Sequence, residues 1–398
     1  MSIIGSICVI LRDKLTYVKK IKPIKLLLVG AMFCLSLLIS VVFKDSNMLF
    51  FETLKSSRVF VLFSMILVFV IESLFIKNKF RFCLILQLLL SFLLVRKVCD
   101  YDSFLHMDLF IYMLMAFLCM NINYKTIIKF FCFTYLVSLI IVLVFNENSI
   151  VVSNVTFPYN VARQNLGLNT MVAFTYVTFY LFVYYIYLRK RSITFAEIVL
   201  LFVITLLLYY LQHVKGTCFL MWAVLIASVL LKYVFKDMKY NRYFGLLLLL
   251  LFAFLYFGIV FLSYIYEDSN ELLYYINGVL HGRLSLGKTG ILECGISLFG
   301  NFLDERYRFI EYFYVDSSYL RILLLYGIIG YLYVAFSLLY FIYLAHISQD
   351  TYLIVLLFIV FISCAFNMDM FYMIYNNMFF ILSYQYECSR SDVLKRPS

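Results

Sequence analysis

Charged residues are scarce in this sequence of 398 residues. Asp, Glu, Lys and Arg make up 14% of it, hydrophobic residues make up 65%, and the mean hydropathy is +0.97. An ordinary soluble domain is about one quarter charged. Too few polar side chains are present to cover a water-exposed surface, which excludes a soluble globular protein. The composition therefore predicts an integral membrane protein.

Proline is also rare, and cysteine and histidine form no pattern. With three prolines, little in the chain interrupts long helices. The ten cysteines stand singly, mostly inside apolar runs, which argues against a disulfide framework or a C-x-x-C metal site. No pair of histidines has metal-ligand spacing, and no G-x-S-x-G nucleophile elbow occurs. We therefore expect no cofactor and no metal.

What the sequence has in abundance is long apolar runs. A helix that crosses a bilayer needs about 20 apolar residues. The runs predict an all-α polytopic membrane protein, a single integral membrane domain over residues 1–398 with about twelve transmembrane helices. The predicted spans are near 24–43, 59–76, 82–95, 109–122, 126–145, 170–188, 193–212, 218–235, 243–263, 318–344, 351–366 and 371–386.

Basic residues concentrate in alternate loops. If the N-terminus is cytoplasmic, the inside segments hold most of the 33 Lys and Arg residues, as cytoplasmic loops usually do. Both termini are therefore predicted to be cytoplasmic. The net charge of +11 then reflects topology and contact with anionic lipid, and it does not indicate nucleic-acid binding.

Two predicted external loops, 146–169 and 264–317, are longer than a connection between neighbouring helices requires. The second contains the apolar run "GILECGISLFG" (290–300), so we expect it to fold as surface helices between spans 9 and 10. Together the two loops are predicted to cap an active site on the outer face of the membrane.

The segment "GRLSLGKT" (282–289) fits the phosphate-loop pattern G-x-x-x-x-G-K-[ST]. A true phosphate loop follows a buried strand within a βαβ unit. The predicted loop is too short for such a domain and faces a compartment without ATP. We therefore interpret the match as coincidence.

A few external cations remain to be explained, among them Arg163, Lys215, Arg283 and Arg321. Ionisable groups at a membrane boundary are costly, and a functional role is the default hypothesis. Converging cations suit a phosphate or diphosphate, and Arg offers it two hydrogen bonds at once. His281, two residues before Arg283, is the best candidate for a proton carrier.

Each candidate has a simpler alternative. Arg321 can equally be a residue that snorkels to the membrane interface. Asp316 and Ser317 can equally be helix caps for the span that follows them. The cluster "DERYR" (304–308) reads best as a solvated loop tip.

Several of these segments resemble one family. "INGVLHGR" (276–283), "ISLFG" (296–300) and "YVDSSYLRILLLYGIIG" (314–330) are similar to motifs of the bacterial O-antigen and capsular-polysaccharide polymerases of the Wzy type. "ARQNLGLNT" (162–170) resembles the Arg-containing segment before their sixth span, although the expected "PN" is missing. "HVKGT" (213–217) places Lys215 where many relatives have Arg.

The resemblance implies an enzyme of the bacterial cytoplasmic membrane that joins polyprenyl-diphosphate-linked oligosaccharide repeat units at its outer face. It implies that Arg283 and Arg163 bind the diphosphate, with Lys215 and Arg321 as further candidates. His281 and Asp316 are the candidates for the general base, and Tyr319 for orienting sugar or phosphate. A flippase and a chain-length regulator are the partner proteins that it suggests.

Three other functions stay open at this point. An O-antigen ligase would move a finished glycan to another acceptor and would share the loop plan. A flippase or exporter of lipid-linked sugars would need charges within its spans, and few are present. A non-catalytic assembly subunit would tolerate replacement of its external arginines.

Overall fold

The computed structural model describes residues 22–32, 34–35, 48–75, 108–120, 122–147, 154–156, 162–164, 173–235, 242–301, 303, 313–367, 383–384 and 387. By its internal contacts the chain divides into two compact units. The first comprises 1–89, 111–171 and 377–387, and the second comprises 90–110, 172–376 and 388–398.

The helices of the first unit lie at predicted spans. Residues 22–32 are helical, and α1 (Met48–Phe75), α2 (Asp108–Cys119, which begins in the second unit) and α3 (Tyr124–Glu147) follow. A short antiparallel ladder, β1 (Asn154–Thr156) and β2 (Ala162–Gln164), lies in the first predicted loop. Glu387 connects distant parts of this unit, because its carboxylate accepts hydrogen bonds from Asn123 Nδ2 at 3.2 Å and the Tyr124 amide at 3.0 Å.

In the described part of the second unit the elements of regular secondary structure are helices. Its helices are α4 (Ala173–Arg189), α5 (Phe195–Gln212), α6 (Lys215–Val229), α7 (Arg242–Ile265), α8 (Glu271–Val279), α9 (Arg283–Cys294), α10 (Ser318–Ile347) and α11 (Thr351–Phe366). A 3₁₀ turn, Lys190–Ser192, follows α4, and a π-helical turn, Leu230–Val234, extends α6. The central helix α7 packs against α9, α10 and α11.

Four helical segments of the described part are long and apolar enough to cross a membrane. They are Phe195–Gln212, Lys215–Val234, Tyr243–Ile265 and Ser318–Ile347. Their outward faces carry large apolar side chains, such as Leu250 at 65% and Phe254 at 71% exposure, which would be unfavourable in water. The chain is therefore a helical membrane protein, as predicted, and the described residues also include the short β ladder.

The number of spans and their orientation stay predictions. The predicted span 82–95 lies outside the described residues, as does most of 371–386. The expectation of one membrane domain over 1–398 also stays a prediction. Within the predicted loop 264–317, α8 and α9 confirm the expected helices, and their position on the membrane surface is likewise a prediction.

An aromatic cluster holds α7, α10 and α11 together. Tyr256 and Tyr331 stack with their ring centroids 4.6 Å apart, and each hydroxyl donates to the other residue's backbone carbonyl at 2.8 Å. Tyr319 lies 4.6 Å from Tyr256, and Phe252 lies 4.3 Å from Phe361. Buried phenol groups need partners, and here the main chain of a neighbouring helix supplies them.

Helix α10 is broken at Gly327, whose φ of +68° and ψ of −174° are not helical. Segment 297–301 passes beside the break and replaces the lost helical hydrogen bonds. The Asn301 amide donates to the Leu324 carbonyl at 2.8 Å, and the Ile328 amide donates to the Ser297 carbonyl at 3.0 Å. Irregular backbone at membrane depth is tolerated where protein satisfies its polar groups.

We expect Gly327→Ala to destabilise the protein. A Cβ at this position would lie 2.3 Å from the Gly300 amide nitrogen, and the backbone conformation is open only to glycine. Strain of this kind costs about 1–3 kcal/mol. The melting temperature of the purified protein in detergent should fall, whereas Gly216→Ala, where nothing lies within 4 Å of an added Cβ, should leave it unchanged or higher. Equal melting temperatures for the two variants would contradict the role given to the break.

Candidate functional site

A tight turn joins α8 to α9 and positions the candidate arginine. His281 has φ +54° and Gly282 has φ +81°. Glycine adopts this left-handed conformation readily, whereas histidine does so uncommonly. The turn starts α9 at Arg283 and leaves His281 exposed beside it, with no side-chain hydrogen bond to the described residues.

Asn277 holds this turn in shape. Its Oδ1 accepts hydrogen bonds from the amides of Leu284 at 2.9 Å and Ser285 at 3.1 Å, which satisfies two of the unpaired donors at the start of α9. Its Nδ2 donates to the Tyr266 hydroxyl at 3.1 Å. That hydroxyl in turn donates to Asp268 at 2.6 Å, a hydrogen bond that raises the pKa of Tyr266.

The glycines and the lysine of the phosphate-loop pattern have structural roles in α9. A Cβ at Gly287 would lie 2.6 Å from Ser263 Oγ, so the glycine allows α9 to approach α7 closely. Lys288 Nζ donates to the Tyr264 carbonyl in the last turn of α7 at 2.6 Å, where a cation is favourable. Because a helix and not a strand precedes the pattern, its interpretation as coincidence is confirmed.

The guanidinium of Arg283 links the α8–α9 turn to the end of α11. Its Nε donates to the carbonyl of Phe366, the last residue of α11, at 2.9 Å, and Nη1 donates to the Leu280 carbonyl at 3.1 Å. The last carbonyls of a helix have no partner within that helix and attract cations. The arginine is thus oriented by main-chain groups that a side-chain rearrangement cannot remove.

Arg283 also pairs with Asp316, which lies just before α10. Its Nε is 3.5 Å from Asp316 Oδ2, and the two side chains are 23% and 31% exposed. Nη2 makes no hydrogen bond to any residue that the structure describes, so one terminal nitrogen of the guanidinium is left for a ligand. A partly exposed ion pair of this kind contributes little to stability. We therefore interpret the position of Arg283 as serving to bind a ligand.

Asn367 joins three helices beneath this pair. Its backbone carbonyl accepts from both the amide and the hydroxyl of Ser318, the first residue of α10. Its side chain accepts from the Tyr176 hydroxyl of α4 at 3.0 Å and donates to Ser363 at 3.1 Å. The segments that carry Arg283 and Asp316 are therefore fixed to one another through the C-terminal end of α11.

Ser317 does not act as the side-chain cap that was considered for it. It occupies the position before α10, but its hydroxyl makes no capping hydrogen bond. The residue is 6% exposed, and its Oγ has no partner among the described residues. Asp316 contacts Arg283 instead, so simple capping does not account for this pair of polar residues.

Arg321 and Tyr319 lie deeper than expected. Arg321 is 9% exposed and packs over the Tyr314 ring at 5.6 Å, so it does not extend to the surface in the way that a snorkelling residue would. Tyr319 is fully buried, and its hydroxyl donates to the Phe361 carbonyl at 2.7 Å. Contact between Tyr319 and a sugar or phosphate would require α10 and α11 to separate.

Of the other two predicted cations, Lys215 is not joined to this site by contacts in the described part of the chain. Lys215 is exposed at the first position of α6, and no hydrogen bond or ion pair in the described part of the chain joins it to Arg283. Arg163 lies on β2, opposite Val155 of β1, in the first unit. Whether these two cations converge with Arg283 stays a prediction.

Sequence reasoning missed Asn277 and Asn367. Asn277 lies inside the motif 276–283, but neither its role nor that of Asn367 follows from a spacing pattern, because their partners are brought to them by the fold. Among the described residues no group of three or more His, Cys, Asp or Glu side chains is placed to hold a metal ion.

Comparisons of this chain with protein-family models, with curated proteins and with solved structures found no match.

Replacing Asn277 should loosen the start of α9. Asn277→Ala removes the acceptor for two amides, and loss of such a cap costs about 1 kcal/mol. We expect faster hydrogen exchange at residues 284–285 and a lower melting temperature. Asn277→Asp keeps the acceptor for both amides and loses the donation to the Tyr266 hydroxyl, so hydrogen exchange at residues 284–285 should stay close to wild type. Unchanged exchange in the alanine variant would contradict this account of the turn.

Proposed function

We propose that this protein is a polysaccharide polymerase that joins polyprenyl-diphosphate-linked oligosaccharide repeat units at the outer face of the bacterial cytoplasmic membrane. The observation that carries the proposal is the state of Arg283. It is partly exposed, oriented by main-chain carbonyls and Asp316, and retains one terminal nitrogen without a partner in the described residues. An arginine held in this way is suited to a phosphate oxygen.

The proposed reaction transfers a glycosyl group. The acceptor hydroxyl oxygen attacks the anomeric carbon of the donor sugar, and the bond from that carbon to the diphosphate oxygen breaks. The electron pair of the broken bond leaves with the diphosphate, so negative charge grows there in the transition state. A cation placed beforehand stabilises that charge most effectively. We assign this role to Arg283, with Arg163, Lys215 and Arg321 as further proposed contributors.

The acceptor hydroxyl must also lose its proton to a base. Asp316 and His281 are the two candidates near Arg283, and they differ in what surrounds them. Asp316 is already paired with the guanidinium, whereas the exposed His281 side chain makes no hydrogen bond within the described part of the chain. We therefore propose that His281 accepts the proton and that Asp316 orients Arg283.

The setting of the site is part of the proposal. The lipid-linked substrate would reach Arg283 from the bilayer around the second unit, with the loops 146–169 and 264–317 outside and both termini in the cytoplasm. A flippase would deliver the lipid-linked units, and a chain-length regulator would set when polymerisation stops. The carbonyl-anchored arginine supports this scheme because it offers a fixed and partly exposed cation.

Arg283→Ala should abolish polymer and cause single lipid-linked repeat units to accumulate. Removing one preorganised donor to a developing anion typically lowers kcat about 10²–10³-fold. The measurement is a gel ladder from purified protein and a defined lipid-linked repeat unit. Glu271→Gln, which changes an exposed charge in the first turn of α8, is the control and should give a wild-type ladder.

Two further measurements distinguish loss of catalysis from misfolding and from a rival activity. The Arg283→Ala protein should be present in the membrane, with a measurable melting transition. Wild-type chain lengths in this variant would remove Arg283 from the site. Long polymer still attached to polyprenyl diphosphate in a deletion strain would indicate a ligase instead.

His281→Ala should lower turnover about 10²–10⁴-fold, the usual contribution of a general base. Asp316→Asn should lower turnover by a smaller factor, because it changes the orientation of Arg283 and not the base. A His281→Ala enzyme with wild-type turnover would exclude His281 from proton transfer.

A further inference from the structure

Helix α8 lies immediately before the turn that carries Arg283, and its side chains form distinct faces. Leu273 is buried, and Asn277, one turn later on the same side, holds the turn. Three apolar side chains share a second face, because they are spaced three and four residues apart. They are Leu272, Tyr275 and Val279, called the α8 stripe below.

The α8 stripe is uncovered, and a polar face lies beside it. The three side chains of the stripe are 67%, 71% and 62% exposed. Glu271, Tyr274 and Gly278 have the same spacing on the neighbouring side of the helix, and all three are exposed. A helix with one apolar and one polar exposed face is suited to the boundary between a bilayer and water. We therefore expect the α8 stripe to contact hydrocarbon.

The α8 stripe ends beside the candidate arginine. Leu280, which follows Val279, donates its amide to the Ile276 carbonyl at 2.9 Å, and its own carbonyl accepts from Arg283 Nη1 at 3.1 Å. The guanidinium therefore contacts the last turn of the helix that carries the stripe. From the first to the last of its side chains the stripe is about 10 Å long, at ~1.5 Å per residue.

The order of groups along this surface matches one kind of amphiphile. Arg283 provides Nη2, a donor without a partner among the described residues, and apolar side chains begin one helical turn away. In a lipid diphosphate the hydrocarbon chain is bonded directly to the phosphate, so both groups can be bound side by side. In a glycerophospholipid the glycerol separates the phosphate from the acyl chains. The arrangement therefore favours a lipid diphosphate.

We propose that the α8 stripe binds the hydrocarbon chain of the lipid-diphosphate donor while Arg283 binds its diphosphate. Because this ligand is the donor of the proposed reaction, the assignment of the stripe rests on the proposed function. A stripe of about 10 Å contacts only the part of the chain next to the phosphate, and the remainder stays in the bilayer. Binding that part orients the leaving group beside Arg283 before the reaction.

The test compares a diphosphate that has a hydrocarbon chain with one that has none. Farnesyl diphosphate and inorganic diphosphate are titrated by calorimetry into the full-length protein in phosphatidylcholine nanodiscs, with empty nanodiscs as the blank. Leu272→Ser and Val279→Ser should each weaken farnesyl diphosphate about fourfold, the effect of one methylene group no longer withdrawn from water. Both variants should bind inorganic diphosphate as the wild type does, whereas Arg283→Ala should weaken both compounds.

Tyr274→Ser is the matched control. Tyr274 is 63% exposed on the same helix but lies off the stripe, so this variant should bind both diphosphates with wild-type affinity. Because the stripe residues are exposed, their serine variants should keep the wild-type melting temperature, which distinguishes lost binding from misfolding. Wild-type affinity for farnesyl diphosphate in both stripe variants would show that the stripe contacts only bulk lipid and would overturn the proposal.

Competition tests whether an ordinary phospholipid occupies the stripe. Adding phosphatidylglycerol to the nanodiscs should leave the affinity for farnesyl diphosphate unchanged, and displacement by this lipid would overturn the proposal.

The outcomes also separate the stripe from the polymerase. Stripe-dependent binding without a polymer ladder would support the stripe and contradict the polymerase. A polymer ladder that depends on Arg283, with wild-type binding in the stripe variants, would overturn the stripe alone. A wild-type protein that binds neither diphosphate would overturn both.

Discussion

The constraint on which the structure depends is that main-chain polar groups away from water need partners. An unbroken helix meets this need internally, but α10 is broken at Gly327. Segment 297–301 restores the missing hydrogen bonds with its own backbone, which is possible only because Gly300 and Gly327 bring the two chains into close approach. Segment 297–301 is thereby fixed to the middle of α10.

The candidate site uses the same principle at a helix end. The last carbonyls of α11 have no partners inside the helix, and Arg283 and Ser318 supply them from two different segments. Both segments are therefore positioned by main-chain geometry. This explains how a guanidinium can be held with one nitrogen still uncommitted among the described residues, since its orientation depends on Nε and Nη1 alone. Such a group can bind an anion without first breaking its own support.

The helix positions could be predicted from the sequence, because apolar runs of the right length leave few alternatives. The runs near 193–212 and 351–366 correspond to α5 and α11 within two residues. The break at Gly327 could not be predicted, since it depends on a backbone segment about thirty residues earlier. Arg283 could be singled out as a costly external cation. Asn277 and Asn367 could not, because asparagine is a common residue and the fold determines which groups its side chain contacts. Arg321 and Tyr319 lie deeper than predicted because every residue in the first turns of α10 is buried.

The paired tyrosines fix α7 to the later half of α10. Because the hydroxyls of Tyr256 and Tyr331 each donate to the partner's main chain, α7 and the later part of α10 cannot slide past one another without losing both hydrogen bonds. The nine residues from Ser318 to Tyr326 lie on the other side of the glycine and are anchored elsewhere, by hydrogen bonds from Ser318 and Tyr319 to the C-terminal part of α11 and from segment 297–301 to Leu324. A substrate that displaces the first half of α10 therefore has to break these contacts, whereas the tyrosine pair can keep its own hydrogen bonds.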